Sequence, residues 1–546
     1  MNTTYQLKLT SGMTKARLHD SFTAFPPLKE ATALKGDRYY FSALISATVK
    51  HGGVGAHVGV EGTLGPYITT YIVEQVPVKL PHYRDKGDLD YLDHNPGLFP
   101  DLLTKRNHLY VMDYVHQVYF EVKIPADFTA GDYPITVVLT DDEGNEVGRE
   151  SLTLSVLDAV LPALDIQCTL WFHYDCLADY YGVKVFSERH WEIIENYLSA
   201  YAESGYNTIL TPIFTPALDT KVGGERPTVQ LVGITLENGT YTFDFSLLER
   251  FLALTKKLGI THLEIAHFFT QWGAAHAPKV MATIDGAYKR LFGWETDATS
   301  EEYVTFLRTL IPALCRKLDA CGYKGHYFFH ISDEPKPTNL ECYKAAKAGI
   351  ADLLAGYPVR DALSHYEFYE QGVVEKPIVG TDHAAPFVEH EVPDLWVYYC
   401  CSQGKDVSHR FYAMPGYRTR VLGAQMYKAN VTGFLEWGYN FYYSRLSQYL
   451  VNPFLINDCD YAFPAGDAYV VYPAPDGTPI PSLHGILFEQ ALLDLRALKL
   501  AEAKVGREKV LAAVLAAGDI TFTKYPRNEE YLLNLRDTVN RLAAGN

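Results

Sequence analysis

Short runs of alternating apolar and polar residues dominate the first third of the chain. Between residues 39 and 157 they are separated by Gly, Pro and Asp and read YYFSALISATV, GPYITTYIVEQVPVKL, QVYFEVKIP, YPITVVLTDDEGNEVG and SLTLSVLDAVLP. A period of two residues is typical of strands, and turn residues at regular intervals are typical of two packed sheets. The pattern therefore predicts an all-β sandwich domain over residues 1–160.

After residue 160 the rhythm changes to strand-like apolar runs that are separated by segments with helical periodicity. One helix is predicted over residues 187–205. Two more are predicted to begin at Ser246 and Thr299, where Glu249 and Glu302 would complete capping boxes. Strands that alternate with helices of this length are typical of a parallel sheet.

The strand-like runs of this second part number about eight. They are WFHYD near Trp171, YNTILTPIF, ITHLEIAHFF, HYFFHIS, DALSHYEF, PIVGTD, LWVYYCC and GFLEWGYNF. Eight such units close a barrel. We therefore predict an α/β fold, a (β/α)8 TIM-type barrel with C-terminal helices over residues 161–546, preceded by the all-β sandwich.

Polar and aromatic side chains follow several of the predicted strands. In a (β/α)8 barrel, the loops at the carboxyl ends of the strands build the active site. The side chains expected to bind a substrate there are His173, Asp219, Gln271, Trp272, Lys279, Asp382, Tyr398, Trp437 and Asn440. For each of them taken alone, hydrogen bonding or packing within the protein is the simpler interpretation.

The run HYFFHISDEP places two carboxylates, Asp333 and Glu334, side by side at the end of an apolar strand, and Pro335 prevents the strand from continuing. Two like charges so close, in an aromatic cleft, raise the pKa of one carboxyl group. One acid can then stay protonated near neutral pH, as a general acid must. The competing interpretation is that one of them caps the next helix.

Adjacent carboxylates do not straddle a sugar easily. In most glycosidases the two acids stand about 5 to 9.5 Å apart on opposite sides of the scissile bond. Substrate-assisted hydrolysis removes this difficulty, because the 2-acetamido oxygen of the sugar attacks C1. One acid then protonates the leaving oxygen, and its neighbour stabilises the acetamido nitrogen.

Composition narrows the range of partners. Aromatic residues make up 13% of the chain, with 40 Tyr, which suits sugar rings although extra Tyr in the core explains them equally well. A net charge of −17 disfavours nucleic acid as a partner. Neither residues 1–15 nor any later segment has the apolar run of a signal peptide or membrane span. We expect a cytoplasmic protein without a membrane partner, and a homo-oligomer is left open.

Cysteine and histidine spacing gives no sign of a metal site. The eight cysteines form no CxxC pair, and His326 and His330 lack a third ligand at suitable spacing. We therefore expect no metal and no cofactor. Cys400 and Cys401 are interpreted as small residues of a buried strand.

The chain resembles the family that shares the domain of unknown function 4091, which is related to glycoside hydrolase family 123. The matching segments are HISDEP, LWVYYCC followed by YRTRVLGAQMYKANVTGFLEWGYNFY, and QVYFEVKIPADFTAGDYPITVVL in the sandwich. The resemblance implies exo-β-N-acetylgalactosaminidase activity by the substrate-assisted route, without metal. It implies Glu334 as general acid/base and Asp333 as stabiliser of the acetamido group, with Tyr398, Trp437 and Asn440 at the sugar.

Together these observations predict a glycoside hydrolase, a retaining exo-β-N-acetylgalactosaminidase whose partner is an oligosaccharide or glycoconjugate glycan. Two alternatives stay open. One is a glycosidase for a sugar without a 2-acetamido group, in which Asp333 or Glu334 is paired with Glu367, Asp382 or Glu436. The other is a non-catalytic carbohydrate-binding protein built on a degenerate barrel.

Overall fold

The computed structural model describes residues 4–49, 52–85 and 87–545, so residues 1–3, 50, 51, 86 and 546 of the two predicted domains lie outside the described residues. The N-terminal strands are β1 (Thr4–Ser11), β2 (Glu30–Lys35), β3 (Arg38–Thr48), β4 (Val54–Glu61), β5 (Ile68–Val78), β6 (Gly97–Lys105), β7 (His108–Val111), β8 (His116–Lys123), β9 (Gly131–Asp141) and β10 (Glu146–Val160). Within the described chain they form two five-stranded sheets, β1-β3-β8-β5-β6 and β2-β10-β9-β4-β7. The predicted all-β N-terminal region is confirmed.

The sheet β1-β3-β8-β5-β6 is buried on both faces. On one face Phe41 stacks on Phe120, with ring centroids 4.6 Å apart, in the core between the two sheets. On the other face Tyr40 and Tyr119, at 5.8 Å, belong to the core of the α/β part. Because neighbouring residues of a strand point to opposite faces, one strand contributes to both cores.

Polar contacts also join the sandwich to the C-terminal part of the chain. Tyr40 and Arg38 each donate a hydrogen bond of 2.8 Å to Oε1 of Glu489. Nδ1 of His484 lies 2.7 Å from the Asp101 carboxylate, and both side chains are fully buried. The two parts therefore pack closely, and the domain boundary after residue 160 stays a prediction.

The strands of the α/β part are β11 (Gln167–Leu170), β12 (Thr208–Thr211), β13 (Gly233–Glu237), β14 (Thr240–Asp244), β15 (His262–Ile265), β16 (Val280–Ile284), β17 (Ala287–Phe292), β18 (Tyr327–Phe328), β19 (Arg360–Leu363), β20 (Lys376–Gly380), β21 (Trp396–Tyr398), β22 (Gly433–Glu436), β23 (Val471–Pro473) and β24 (Pro479–Pro481). The helices are α1 (Tyr174–Tyr180), α2 (Glu188–Glu203), α3 (Ser246–Lys257), α4 (Glu301–Ala320), α5 (Leu340–Ala348), α6 (Ala351–Leu354), α7 (Glu367–Glu370), α8 (Ala385–Glu389), α9 (Gly416–Arg420), α10 (Leu422–Lys428), α11 (Leu483–Val505), α12 (Arg507–Val514) and α13 (Glu529–Ala544). In the ranges that the structure describes, no helix has both the length and the apolar character needed to cross a bilayer.

Two parallel sheets organise this part. One contains β12, β15 and β18, and the other contains β19, β20, β21, β22 and β11. Phe329 and Val359 form a parallel bridge between the edges of β18 and β19. At the other edge, the Asn207 N–H donates to the Cys168 carbonyl at 3.3 Å. The predicted α/β fold behind an all-β region is confirmed, and parallel pairing brings the carboxyl ends of neighbouring strands to one side.

The helix predicted over residues 187–205 is confirmed as α2. Oγ of Ser187 accepts the N–H of His190 at 3.4 Å and caps the first turn. Gly205 follows the helix with a φ of +90°, a conformation that glycine adopts without strain.

The two predicted capping boxes are wrong. Ser246 lies inside α3, and its N–H donates to Oδ1 of Asp244 at 2.9 Å. Likewise the N–H of Thr299 donates to Oδ1 of Asp297 at 2.7 Å, and α4 begins only after Ser300. In both cases a carboxylate two residues earlier is the stronger acceptor and displaces the expected arrangement.

Candidate active site

Asp333 and Glu334 follow a shorter strand than predicted, since β18 spans only Tyr327–Phe328. Phe329 still pairs with Val359 on the next strand, but beyond it a side chain replaces the backbone acceptor, because the Ile331 N–H donates to Oδ1 of Asp361 at 3.0 Å. Neither acid caps a helix, because the next turn and α5 begin after Lys336 and Asn339. The capping interpretation is therefore wrong.

The backbone turns sharply at the acid pair. Oγ of Ser332 donates to the Thr270 carbonyl at 2.8 Å and accepts the Ala274 N–H at 3.1 Å, which pins the segment to the loop after β15. Glu334 then adopts a left-handed φ of +43°. This conformation breaks the alternation of a strand, so Asp333 and Glu334 both line one cavity.

The cavity beside the acid pair measures about 380 Å³, within the usual range for small-molecule sites. Its apolar walls are formed by Trp171, Leu218, Trp272, Ala362, Tyr398, Leu435, Trp437 and Phe463, and its other lining groups are Asp219, Gln271, Lys336, Cys400, Cys401 and Arg445. Flat aromatic faces among a few converging polar groups suit a sugar ring with its hydroxyl rim.

Tyr398, from the end of β21, holds the Glu334 carboxylate. Its hydroxyl donates to Oε1 of Glu334 at 2.7 Å. Burial, and then the charge of Glu334, raise the pKa of Tyr398 well above its usual value. The tyrosine therefore keeps its proton and fixes the direction in which Glu334 faces the cavity.

The pKa of Asp333 is raised well above its ordinary value. Burial is the main cause, followed by the charge of Glu334, and the nearby His330 cation opposes the shift. Two carboxyl groups in such a site are most stable when they share one proton. The pair can therefore supply a proton and a negative charge to the same ligand.

A buried ion cluster lies beneath the pair. Nε2 of His330 is 2.7 Å from Glu264, and Nδ1 is 3.3 Å from Asp361, with all three side chains fully buried. Burial alone lowers the pKa of His330, but the hydrogen bonds to Asp361 and Glu264 outweigh it and raise the pKa to about 9. His267 stacks on the His330 ring with centroids 4.1 Å apart. Ligand atoms of His267, His330 and Asp361 are close enough to hold a metal ion, but both His330 ring nitrogens already contact carboxylates.

The cluster predicts a pH dependence of stability. Because the pKa of His330 rises from about 6.5 to about 9 on folding, its stabilising effect is complete below about pH 6.5 and disappears as the pH rises through about 9. We expect the free energy of unfolding to fall by about 3 kcal/mol over this window. The measurement is urea denaturation of the wild type and His330→Gln between pH 6 and 10. His330→Gln should be less stable than the wild type at pH 6, and this difference in the free energy of unfolding should disappear as the pH rises through about 9.

The exposed His390 provides the control. His390→Gln should keep the pH dependence of the wild type. Parallel stability curves for the wild type and His330→Gln would contradict a charged His330.

The structure brings together most of the residues that the sequence predicted for the site. Asp219, Gln271, Trp272, Tyr398 and Trp437 line the cavity with the acid pair. Asp382 lies in a second cavity that adjoins the first. The predicted residues that line neither cavity are His173, Lys279 and Asn440.

These three side chains lie behind the residues that line the cavity. The His173 N–H donates to Oδ1 of Asn440 at 2.8 Å, and Nδ2 of Asn440 donates back to the His173 carbonyl at 3.1 Å. Nε2 of His173 is 2.8 Å from the carbonyl of Trp437. Nζ of Lys279 donates to the carbonyl of Arg226. In this arrangement they hold the loops that carry the lining residues.

Several lining residues were not predicted. Trp171 directly follows β11, although the sequence placed it within the strand, and a strand-end position is the signal that could have revealed it. Arg445 and Phe463 lie on the long connection between β22 and β23, which has no periodic pattern. The interpretation of Cys400 and Cys401 as core residues is wrong, because both are partly exposed and line the cavity.

Comparison with known proteins gives a family match over more than half of the chain. The family model described as Glycoside hydrolase 123, catalytic domain, matches residues 171–501. No curated protein matches the chain. Among solved structures, a family 123 glycoside hydrolase from Clostridium perfringens, studied for the details of glycolipid glycan hydrolysis, is similar with a TM-score of 0.73 and 14% identity, covering 99% of this chain and 97% of that one.

Two β-glucuronidases are similar at a much lower level. The enzyme from Bifidobacterium dentium has a TM-score of 0.34 and 8% identity over 90% of this chain and 67% of its own. The enzyme from Parabacteroides merdae has a TM-score of 0.29 and 9% identity over 91% and 52%. Likeness at this level bears on neither fold nor function. The family resemblance indicated by the sequence is confirmed over residues 171–501, and the chain belongs to glycoside hydrolase family 123.

Proposed function

We propose that this glycosidase is a retaining exo-β-N-acetylgalactosaminidase whose substrate supplies the nucleophile. The observation that carries the proposal is the arrangement of Asp333 and Glu334, which are consecutive and line one cavity. They reach a bound sugar from the same side, so they do not form the two-sided pair of most glycosidases. A 2-acetamido group supplies the missing nucleophile.

In the first step, the acetamido carbonyl oxygen attacks C1 while the bond from C1 to the leaving oxygen breaks. The acetamido N–H donates to Asp333 in the bound complex and favours its ionised form, so the proton that the pair shares lies on Glu334. Glu334 transfers this proton to the leaving oxygen and becomes a carboxylate. Positive charge grows on the acetamido nitrogen as the oxazolinium ring forms, and the Asp333 carboxylate accepts the N–H hydrogen bond and stabilises this charge.

In the second step, Glu334 acts as the base. It takes a proton from a water molecule, whose oxygen attacks C1 and opens the oxazoline ring. The acetamido group is restored, and two inversions at C1 leave the configuration retained.

Aromatic and polar lining groups support binding of one sugar residue. Nε1 of Trp437 donates to Oδ2 of Asp467 at 2.9 Å, which fixes the indole at the cavity wall. Burial raises the pKa of Asp219 to about 6, and the Leu446 N–H holds its Oδ2 at 2.9 Å. In the proposed complex Trp437 packs on the sugar face, while Asp219 and Arg445 bind hydroxyl groups.

We also propose that the eight parallel strands close into a (β/α)8 barrel. The Phe329–Val359 bridge and the Asn207–Cys168 hydrogen bond, one at each edge, support closure of the two parallel sheets. In such a barrel the acid pair stands at the carboxyl end of the fourth strand, on the side where active sites are found.

A specific observation favours one alternative, a two-carboxylate glycosidase for a sugar without an acetamido group. Asp219 is a carboxylate on another wall of the same cavity. The partners that the sequence suggested are less suitable, because Glu367 is exposed on α7, Glu436 is fully buried beside Arg410, and Asp382 lines only the second cavity. Asp219 is therefore the residue on which this alternative depends.

A panel of aryl glycosides separates these functions. We expect release of the aryl group from the β-N-acetylgalactosaminide and strong inhibition by the thiazoline analogue of N-acetylgalactosamine, which mimics the oxazoline. Turnover of the β-galactoside without a thiazoline effect would favour the two-carboxylate alternative. Sugar binding without cleavage of any substrate would favour a carbohydrate-binding protein.

A further inference from the structure

One face of the N-terminal sandwich carries two histidines and an aspartate side by side. His57 on β4 pairs directly with His108 on β7, the edge strand of the sheet. On the other side of β4, His57 pairs with Thr140 of β9, and Asp142 follows two residues later. Because residues two apart on a strand share a face, the three side chains lie on the same side of the sheet. None of them lines the cavity beside the acid pair.

The three side chains converge on one point. Oδ1 of Asp142 lies 3.2 Å from Nε2 of His108 and 3.5 Å from Nε2 of His57. The two histidine rings are tilted relative to each other, with centroids 4.5 Å apart. One ligand atom from each residue lies within 4.8 Å of the other two. A single small ion can therefore contact all three residues.

The distances to the Asp142 oxygen are typical of ligand atoms that share a metal ion. With bonds of about 2.0 to 2.2 Å, two ligand atoms of a tetrahedral zinc ion stand about 3.4 Å apart. An N–H···O hydrogen bond is usually shorter, about 2.9 to 3.0 Å. The oxygen is thus placed at the distance from both nitrogens that a shared Zn²⁺ requires.

A glycine makes room for the carboxylate. Asp142 lies across β4 at Gly55, where an added Cβ would overlap the carboxylate group. Hydrogen bonds close the turn that carries Asp142: the Asn145 N–H donates to Oδ1 of Asp141 at 2.7 Å, and the Asp141 N–H donates to the Asn145 carbonyl at 2.9 Å. Asp141 therefore holds the turn, and Asp142 faces the histidines.

The buried cluster around His330 provides a contrast. There the ring nitrogen lies only 2.7 Å from Glu264, and both side chains are fully buried. In the sandwich, the side chains of His57 and Asp142 are each 49% exposed, so a hydrated ion can reach them. Imidazole nitrogens favour Zn²⁺ over Mg²⁺ and Ca²⁺, which prefer oxygen ligands.

We propose that His57, His108 and Asp142 bind one Zn²⁺ ion, with water as the fourth ligand. The ion joins three segments of the sandwich, which are the edge strand β7, its neighbour β4 and the turn after β9. No spacing motif indicates the site, because only sheet pairing brings these segments together. The expectation of no metal, which was drawn from the spacing of cysteines and histidines, therefore does not extend to this site.

Zinc titration of the full-length protein tests the site. After treatment with a chelator, the wild type should bind Zn²⁺ at micromolar concentration and melt at a higher temperature in its presence, because an ion that binds only the folded state stabilises it. His57→Gln and Asp142→Asn should each lower the affinity by about ten-fold or more, since even loss of an outer-shell partner has this effect. The measurements are isothermal titration calorimetry with zinc chloride and the melting temperature.

Gly55→Ala is a sharper variant, because it keeps all three ligands. Its methyl group displaces the flexible end of Asp142 and should weaken zinc binding, while the metal-free protein melts like the wild type. The matched control is His262→Gln. His262 also lies beside a histidine, with 3.4 Å between its Nε2 and Nδ1 of His326, but no carboxylate completes a group of three there in the described part of the chain. This control should bind zinc as the wild type does.

Equal zinc affinity in the wild type, His57→Gln and Asp142→Asn would overturn the proposal, because the ion would then bind elsewhere. A wild type whose melting temperature does not respond to Zn²⁺, or that binds Mg²⁺ equally well, would overturn it too. Each outcome is read from metal binding and stability, so it is independent of the proposed glycosidase reaction.

Discussion

Glu334→Gln is expected to lower kcat/KM for methyl β-N-acetylgalactosaminide about 10³-fold, the usual contribution of a general acid. The methoxide leaving group is strongly basic, so its departure requires the proton that Glu334 supplies. For the 2,4-dinitrophenyl glycoside the loss should be less than about ten-fold, because this leaving group departs as an anion without protonation. The measurement is kcat/KM on both substrates, since it reports the first chemical step.

Glutamine at position 334 can keep the hydrogen bond from Tyr398 while it loses the acidic proton. Tyr398 donates to Oε1 of Glu334 at 2.7 Å and can donate to the glutamine oxygen in the same way. Tyr398→Phe is the companion variant, which removes only this hydrogen bond and should reduce kcat/KM for the methyl glycoside about ten-fold. An equal loss on both leaving groups in Glu334→Gln would show that Glu334 is not the acid.

The acid pair could be found from the sequence because several local signals agree. An apolar strand, two acids and a proline occur within HYFFHISDEP, and the barrel pattern says which end of a strand matters. The left-handed backbone at Glu334 could not be predicted, since it depends on contacts of Ser332 with the loop after β15. That turn directs both side chains into one cavity.

The walls of the cavity were harder to predict. Arg445 and Phe463 lie on a connection without periodicity, and only tertiary packing brings them to the acids. His173 and Asn440 have the residue types and positions of ligands, yet they bond to each other. Sequence position cannot distinguish a polar side chain that faces a ligand from one that satisfies a buried backbone group.

The sequence also did not predict that both faces of the sheet containing β3 are buried. The alternation in β3 predicts one buried and one exposed face, but Phe41 and Tyr40 are both buried, in two different cores. The second core exists only because the α/β part packs on the sandwich. Alternation therefore predicted the strands correctly and underestimated how much of them is buried.

Asp333→Asn should lower kcat/KM for N-acetylgalactosaminides by about 10² to 10³-fold, comparable with the loss of one preorganised group that stabilises transition-state charge. The variant keeps the shape of the side chain but loses the negative charge that faces the forming oxazolinium. Affinity for the thiazoline analogue should fall by a similar factor, because the inhibitor resembles the oxazoline. Both quantities are measured on one enzyme preparation.

The pH dependence of kcat/KM is an independent test of the role of Asp333. Burial raises the pKa of Asp333, so the side chain becomes neutral at a higher pH than an ordinary aspartate and then cannot stabilise the cation. The wild-type kcat/KM should therefore decrease on the acid side. Asparagine does not titrate, so the residual activity of Asp333→Asn should lack this acid limb.

Asp219→Ala is the matched comparison, because Asp219 lines the same cavity and its pKa is also raised, to about 6. If Asp219 only binds hydroxyl groups, its loss raises KM and leaves the ratio of thiazoline affinity to product affinity unchanged. If Asp219 is instead a nucleophile, its loss abolishes turnover and added azide restores it by forming a glycosyl azide. Rescue of Asp219→Ala by azide would indicate a two-carboxylate mechanism in place of the acetamido mechanism. In that case Asp333→Asn should leave the affinity for the thiazoline unchanged, because no oxazolinium cation forms beside Asp333.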